Sequence, residues 1–405
     1  MAQRRPPRVN PGRLAAARVL LGVETGAHAD DLLEQLAPRG RDRTLTWHLA
    51  LGVLRRQGSI DHTLGPFSRR PIAKLDPPVR AILRLGAFEL LYGRTRAHAA
   101  VHQAVDLTRA LKVGRASKFV NAVLRKVSGA TAPTDPYLDL PPWLRTRFAD
   151  WPDWVARLGT PAPVCGVWSN PQDTVPSVVS GPASAAGHTP DGAFQLSPGE
   201  GSIADRPGFS TGKWWVMDPA SVAVADLLHH AVPARSSLLD ACAAPGGKTL
   251  RLATHGHTVH AVDLEPHRLE RVGEGSRRVQ VAPRVTTQAH DWLTGPLPHT
   301  PTFAGVLVDA PCSALGIIRR HPEIRWRRMP SDPPAMAIRQ RQILAAAAQH
   351  VAPDGVLVYS VCSPLPEEGE AVAESLEGFT ITERWSSAPP EAHEDAFQAF
   401  VLRRS

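Results

Sequence analysis

The chain is predicted to be a multidomain protein in which an all-α amino-terminal part precedes an α/β part with a doubly wound, mostly parallel sheet. Two observations predict this fold class. Apolar residues recur at helical spacing through residues 9–128, and Gly and Pro divide them into five to seven helices. From residue 214 onward, strand-like apolar runs alternate with helical patterns, which is typical of a parallel sheet covered by helices.

The expected domain boundaries follow from these patterns. Residues 1–130 form the helical domain, residues 131–213 form a linker with a reduced subdomain, and residues 214–405 form the α/β domain. The middle segment is rich in Pro, Gly, Ser and Thr, so we expect a short bridging helix in residues 141–154 and long loops in residues 161–212. Residues 174–180 are expected to form one strand of that subdomain.

The positive charge of the chain lies in its helical part. Residues 1–150 contain 25 Lys and Arg against 12 Asp and Glu, whereas the rest of the chain contains 21 against 26. Such an excess is typical of a nucleic-acid-binding domain, although an arginine-rich overall composition is an alternative explanation. There is no run of about 18 apolar residues and no apolar signal-peptide core, so we expect no membrane partner and a cytoplasmic location.

Four cysteines occur, and none of them has metal-finger spacing, so no metal site is expected. Cys312 and Cys362 each follow an apolar, strand-like run, and Asp309 lies at the end of the first run. Because parallel strands end at one edge of a sheet, these two thiols and the acid are expected to converge there. The alternative for each cysteine is a small core residue, which is the commoner role of a free cysteine.

A glycine turn is expected to meet the same edge. A strand ending at Asp240 runs into a turn and a helix start, a design that lets the backbone approach a nucleotide-like ligand closely. The turn residues are Cys242, Ala243, Ala244, Pro245, Gly246, Gly247 and Lys248. Asp263 ends the next strand, where nucleotide-binding folds use a carboxylate to accept from ribose hydroxyls. Asp291 follows the third strand, and a helix N-cap is an equally good interpretation for it.

Three motifs carry a family resemblance. They resemble motifs of the RNA cytosine-5 methyltransferases. In chain order they are C-A-A-P-G-G-K-T, D-A-P-C-S and Y-S-x-C-S, and R-R-H-P-E-I-R-W follows the second of them. Most of residues 9–128 resemble the NusB RNA-binding fold. The segments that carry this resemblance are R-D-R, L-G-A-F-E-L-L and S-K-F-V-N-A-V-L-R. The combination of a NusB-like domain with a Rossmann-like methyltransferase domain is similar to the RsmB/Sun (Fmu) subfamily.

The resemblance implies an activity. It implies methylation of carbon 5 of a cytosine in small-subunit (16S) ribosomal RNA, with S-adenosylmethionine as cofactor and a covalent cysteine–cytosine intermediate. Cys362 is then the nucleophile, Cys312 removes the carbon-5 proton and frees the enzyme, and Asp309 contacts both base and cofactor. Residues 242–248, Asp263, Asp291 and Asp309 would bind the cofactor. The implied partner is ribosomal RNA before full subunit assembly, with no DNA, and the protein is expected to be a monomer.

The chain departs from the family pattern at several positions. Ala314 stands where Gly is usual, Val361 where Thr is usual, and Gly369 where Asn is usual. Two alternatives therefore stay open from the sequence. One is a catalytically weak or inactive RNA-binding or ribosome-assembly factor with the same fold, and the other is a methyltransferase that acts on DNA or protein.

Overall fold

The computed structural model of the protein describes residues 9–170, 172, 175–185, 187–197, 202–299, 301–389 and 394–405. It divides into two compact units. The first comprises Met1–Pro161 and Ile318–Arg327, and the second comprises Ala162–Ile317 and Arg328–Ser405. The domain boundaries expected from the sequence stay a prediction, since this division follows packing contacts and separates one short segment from its neighbours in the chain.

The first unit is helical, as predicted. Residues 9–128 contain seven α-helices, and two short helices follow. These are α1 (Pro11–Glu24), α2 (Ala29–Leu36), α3 (Arg41–Arg55), α4 (Gln57–Leu64), α5 (Pro77–Leu91), α6 (Ala97–Ala110), α7 (Ser117–Val127), α8 (Pro142–Arg147) and α9 (Pro152–Arg157). The Asn10 side chain caps α1 by accepting from the backbone N–H of Arg13, and Pro11 occupies the first helical position, where its missing N–H costs nothing. Leu, Ile and Val from α1, α3, α5, α6 and α7 form one core.

Residues 318–327 pack within this helical unit, although they follow the D-A-P-C-S motif in sequence. Arg325 is fully buried and donates to the carbonyl oxygens of Ile318 at 2.9 Å and Leu158 at 3.3 Å. The Trp326 indole N–H donates to the Leu54 carbonyl at 2.8 Å. Burial lowers the pKa of Arg325 to about 10, and the carbonyl acceptors compensate the buried guanidinium for its lost water.

The second unit begins with a small antiparallel sheet. Its strand order is β2-β3-β1-β4, and its strands are β1 (Cys165–Trp168), β2 (Val179–Pro182), β3 (Ala193–Leu196) and β4 (Trp214–Val216). Trp168 stacks on Phe194 with ring centroids 4.2 Å apart, and Trp214 meets Phe194 edge-on at 5.8 Å. Long loops surround these strands in the described residues, as expected, and the rings give strands of three or four residues a core of their own. The strand expected at residues 174–180 begins at Val179, and residue 174 lies outside the described residues.

The second unit continues with a seven-stranded sheet in the order β10-β11-β9-β8-β5-β6-β7. Its strands are β5 (Ser237–Asp240), β6 (Thr258–Asp263), β7 (Val285–Ala289), β8 (Phe303–Asp309), β9 (Val351–Val361), β10 (Phe379–Ser386) and β11 (Gln398–Arg404). Strands β5 to β9 pair in parallel, and β10 and β11 are antiparallel additions at one edge. The predicted doubly wound, mostly parallel sheet is confirmed.

Helices connect the parallel strands and bury their apolar faces against the sheet. They are α10 (Pro219–Ala231), α11 (Gly247–Thr254), α12 (Pro266–Arg278), α13 (Asp332–Ala348) and α14 (Glu370–Ala373). The Asp218 side chain caps α10, and Pro219 takes the first helical position. The helix expected at residues 367–376 is only one turn long. Its first three residues belong instead to the loop that leaves β9. No helix among the described residues is long and apolar enough to cross a membrane.

Histidines cluster where α10 and α11 end. The rings of His229 and His255 stack at 3.9 Å, and His229 Nδ1 lies 2.9 Å from His257 Nε2. Because His257 Nδ1 accepts from the Ser236 backbone N–H at 3.1 Å, the His257 proton is on Nε2 and is donated to His229. Burial, with the neighbouring histidines, lowers the pKa of His229 from 6.5 to about 4. Within the described residues, no group of three or more His, Cys, Asp or Glu side chains could hold a metal.

This cluster predicts acid sensitivity. Unfolded His229 takes up a proton near pH 6.5, whereas the folded residue does so only near pH 4, so the free energy of unfolding falls as pH is lowered between these values. His229→Asn should flatten that fall, measured by urea unfolding at pH 7, 6 and 5. His267→Asn, at an exposed position, should keep the wild-type slope. Equal slopes for wild type and His229→Asn would contradict this account.

Candidate active site

The carboxyl ends of β5 to β8 enclose a cavity of about 420 Å³. Small-molecule sites usually have volumes of this order and combine apolar walls with a few polar groups. Apolar walls come from Leu264, Trp292, Pro311 and Ile343. The Trp292 indole N–H donates to the Ala241 carbonyl at 2.6 Å, which fixes the ring as one wall. The cavity lies at the sheet edge where the sequence places the candidate residues.

Five of the ten predicted cofactor residues line this cavity. They are Cys242, Ala244, Asp263, Asp291 and Asp309. The other five do not belong to its lining, although all of them are among the described residues. These are Ala243, Pro245, Gly246, Gly247 and Lys248. They shape the turn or hold a lining residue instead.

The glycine turn is shaped by one left-handed residue. Gly246 has φ +111°, a conformation that favours glycine, and a Cβ there would lie 3.2 Å from the Val272 Cα. The turn delivers the chain into α11, whose Thr249 hydroxyl donates to Asp240 at 2.6 Å. Burial raises the pKa of Asp240 to about 7. Many strand–helix turns need glycine only for packing. Gly246 fits that role, because it permits close packing of the turn on α12.

The two other strand-end acids are oriented by backbone groups. Asp263 accepts from the N–H of Ala244 at 3.1 Å and of Glu265 at 3.2 Å, which fixes its carboxylate beside the glycine turn. Asp291 caps a helical turn by accepting from the Leu293 N–H at 3.0 Å. Asp291 also lines the cavity, so its capping role is compatible with a ligand contact, which stays a prediction.

Asp309 is held by two polar partners at the end of β8. The Lys248 ammonium lies 2.6 Å from one carboxylate oxygen, and the Ser360 hydroxyl donates to the other at 2.7 Å. The register of the parallel β8–β9 pair places Ser360 directly beside Asp309. Ser360 was not among the predicted site residues, yet the Y-S-x-C-S motif contains it, and the strand register alone brings it there.

The loops after β8 and β9 bring two thiols together. The sulfur atoms of Cys312 and Cys362 lie 3.3 Å apart, and neither cysteine is in a disulfide. Cys312 is buried, whereas Cys362 is partly exposed. The contact with Cys362, followed by burial, raises the pKa of the Cys312 thiol well above its ordinary value. Cys312 therefore keeps its proton, and Cys362 is the more accessible of the two sulfurs.

Burial also raises the pKa of the third nearby cysteine. Cys242 lies at the start of the glycine turn, and the carboxylates of Asp240, Asp309 and Asp263 add to the effect of burial on its thiol. A protonated thiol is a poor nucleophile, since the thiolate is the reactive form. This agrees with the interpretation of Cys242 as a cofactor-loop residue.

One buried carboxylate near the thiols was missed from the sequence. Glu368 accepts hydrogen bonds from Ser313 and Ser363, the residues that directly follow the two cysteines. The serine in each C-S pair was a signal that could have suggested a shared acceptor.

Ala314, which stands where the family has Gly, has φ +61°. An alanine costs about 1–2 kcal/mol in this left-handed region, which explains the usual glycine.

Comparison with known proteins decides the family. The model of the family 16S rRNA methyltransferase RsmB/F matches residues 230–398, and that of the NusB family matches residues 10–129. Ribosomal RNA small subunit methyltransferase B of Thermus thermophilus is 37% identical, covering 91% of this chain and 88% of that protein. The protein of the same name from Pseudomonas putida is 35% identical, covering 91% and 89%.

The chain belongs to the RsmB/F family of 16S rRNA methyltransferases. The predicted family and the NusB-like domain are confirmed, and membership of an enzyme family disfavours the interpretation as an inactive RNA-binding factor. In fold, the chain is similar to the crystal structure of PH0851, with a TM-score of 0.79, 20% identity and coverage of 98% and 99% of the two chains.

This RsmB/F-family methyltransferase uses S-adenosylmethionine, and the cavity fits that cofactor. The ligand has a nucleoside end that suits apolar walls and ribose hydroxyls that suit a fixed carboxylate. Leu264 and Trp292 provide the apolar walls of the cavity, and Asp263 provides the fixed carboxylate. Asp291 and Asp309 add acceptors for the cationic part of the cofactor. Which residues contact it stays a prediction.

The left-handed Gly246 predicts a sharp difference between adjacent glycines. Gly246→Ala should lower the free energy of unfolding by about 1–2 kcal/mol and weaken S-adenosylmethionine binding, because a Cβ disfavours φ +111°. Urea unfolding and titration calorimetry measure the two effects. Gly247→Ala is the matched control, since its Cβ would make only an ordinary 3.7 Å contact with Met217. Equal effects of the two substitutions would contradict the role given to Gly246.

Proposed function

We propose that the protein transfers a methyl group from S-adenosylmethionine to carbon 5 of a cytosine in 16S ribosomal RNA. The observation that carries the proposal is the 3.3 Å approach of the Cys312 and Cys362 sulfurs, with Asp309, three residues before Cys312, in the lining of the cofactor cavity. Carbon 5 of cytosine is too weak a nucleophile to take a methyl group directly. A thiol that adds to carbon 6 makes carbon 5 enamine-like, and a second group then removes the carbon-5 proton.

In this mechanism Cys362 adds to carbon 6 and forms a covalent bond with the base. Cys362 is the more exposed of the two sulfurs, so it is the one that a base can reach, and the Cys312 sulfur lies 3.3 Å from it. Asp309, held by Lys248 and Ser360, is the acid beside both ligands and supports protonation at the ring nitrogen. S-adenosylmethionine supplies the electrophilic methyl group when it is bound.

Cys312 completes the reaction by taking the carbon-5 proton, which expels the Cys362 sulfur and restores the aromatic ring. Before addition, the contact with Cys362, followed by burial, raises the pKa of Cys312 and keeps that thiol protonated. Once Cys362 is bonded to carbon, the contribution of Cys362 to this shift is removed. Cys312 then releases its own proton to water and can act as the base.

We propose RNA as the partner from the charge of the helical unit. Exposed basic residues on α7, including Lys118 and Arg125, suit contacts with phosphate groups. The cytosine must leave its stack to reach the two thiols, so an accessible base in RNA that is not yet fully assembled into the subunit is the expected substrate. A monomer located in the cytoplasm with the ribosomal RNA completes the proposal.

Transfer of a labelled methyl group tests the function. Protein is incubated with labelled S-adenosylmethionine and unmodified 16S RNA, and the RNA is digested to nucleosides. We expect the label in 5-methylcytidine. Label in another nucleoside, in DNA or in protein would contradict the proposed acceptor, and no transfer at all would favour the RNA-binding alternative.

The two cysteine roles predict different failures. Cys362→Ala should abolish methylation without a covalent adduct, because no sulfur adds to carbon 6. Cys312→Ala should accumulate a protein–RNA adduct that survives denaturing electrophoresis, because addition proceeds and release does not. Cys165→Ala is the control, since Cys165 is a buried residue of β1 in the small sheet. Adduct accumulation in Cys362→Ala, or wild-type turnover in both variants, would overturn the assignment.

A further inference from the structure

The loops that carry Cys312 and Cys362 are both anchored to one buried side chain, Glu368. Its carboxylate is fully buried and accepts four hydrogen bonds. The Ser313 N–H donates to Oε1 at 2.6 Å, and the Ser313 hydroxyl donates to Oε2. The Ser363 hydroxyl donates to Oε2 at 2.6 Å, and Gln340 donates to Oε1 at 3.4 Å. A buried carboxylate with this many donors is well compensated for its lost water.

Two of the residues that donate to Glu368 are the chain neighbours of the two cysteines. Ser313 is the residue after Cys312, and Ser363 is the residue after Cys362. Both hydroxyls reach the same oxygen, Oε2, and lie 3.3 Å from each other. The two peptide segments therefore meet at one point, one residue away from each thiol.

Further contacts hold Glu368 itself in place. The Tyr359 hydroxyl, from β9, donates to the Glu368 carbonyl at 2.5 Å. The Gln340 amide that reaches Glu368 also donates to the Pro311 carbonyl at 3.0 Å, in the loop of Cys312. Gln340 lies on α13 and is fully buried. Strand β9, helix α13 and both cysteine loops thus share one rigid polar network.

We propose that Glu368 is a positioning residue for the two-thiol reaction, holding the Cys312 and Cys362 loops at the separation that the chemistry requires. The inference deepens the proposed function and depends on its two-thiol mechanism. The hydrogen bonds of the Glu368 carboxylate go to Ser313, Ser363 and Gln340 and not to either sulfur. Its negative charge contributes to keeping Cys312 protonated by raising the pKa of that thiol, after the larger effects of Cys362 and burial.

Thiol bridging by phenylarsine oxide tests this separation without RNA. The reagent bonds arsenic to two sulfurs and releases its oxygen with both thiol protons as water, so it binds tightly only where two thiols are held together. We expect tight one-to-one binding with loss of two titratable thiols in wild type, and no such bridge in Cys312→Ala or Cys362→Ala. Glu368→Ala should weaken bridging at least about tenfold and lower kcat about 10- to 100-fold, with KM for S-adenosylmethionine unchanged.

Two further variants separate positioning from folding. Glu368→Gln keeps the shape, and its amide can still accept from the Ser313 N–H, so an intermediate loss of kcat and bridging is expected. Glu370→Gln is the matched control, two residues away with a half-buried side chain ion-paired to Arg384, and it should behave as wild type. If Glu368→Ala does not fold, Ser363→Ala removes one anchor and should show the same partial loss.

The outcomes distinguish this inference from the proposed function. Bridging and kcat within twofold of wild type in folded Glu368→Ala would overturn the positioning role. Lost methylation with wild-type bridging would also overturn it, while leaving the two-thiol function intact. Weakened bridging in Glu368→Ala together with a wild type that methylates no RNA would keep the loop-positioning role and remove the proposed function.

Discussion

The parallel pairing of β8 with β9 is the constraint on which the site depends. Its register sets Asp309 beside Ser360, and each strand then leads within three residues to a cysteine. Two thiols from segments far apart in sequence thereby reach 3.3 Å without a covalent link. Because both strands are buried within the sheet, their register is strongly fixed. The reacting groups inherit that rigidity from the sheet and need only short loops to reach the substrate.

The charges around this pair give each acidic group a different task. Lys248 sits in the first turn of α11, where the helix dipole disfavours a cation, and Asp309 compensates for it at 2.6 Å. Asp263 is occupied by backbone N–H groups beside the cavity, and burial keeps the thiol of Cys242 protonated. At the Cys312–Cys362 contact, a buried thiol lies 3.3 Å from a partly exposed one. This difference in exposure supports the proposal that Cys362 is the nucleophile.

The sequence was sufficient to predict the positions of candidate site residues that lie directly after strands. Asp263, Asp309, Cys312 and Cys362 come directly after apolar runs, so topology alone brings them to one edge, and the structure places them there. Residues whose position depends on tertiary contacts could not be predicted this way. The sequence pattern places Glu368 in a helix at residues 367–376. Nothing in that pattern shows that its carboxylate is buried and accepts hydrogen bonds from Ser313 and Ser363.

The same limit explains the errors in the smaller elements. Strands β1 to β4 are three or four residues long and show no regular alternation, so their signal is the packing of Trp168, Phe194 and Trp214 rather than any periodicity. Arg325 belongs to a motif that the sequence links to the methyltransferase part. Its guanidinium nevertheless satisfies carbonyl groups of the helical unit, which only a folded chain reveals.

Mapping the covalent bond to the RNA tests the central claim most directly. In 16S RNA transcribed with 5-fluorocytidine, carbon 5 carries a fluorine that cannot leave as a proton, so the adduct cannot be released. Mass spectrometry of the digested complex identifies the bonded residue. This account predicts a cytosine bonded to Cys362. A cytosine bonded to Cys312 or Cys242, or turnover with no adduct, would contradict it.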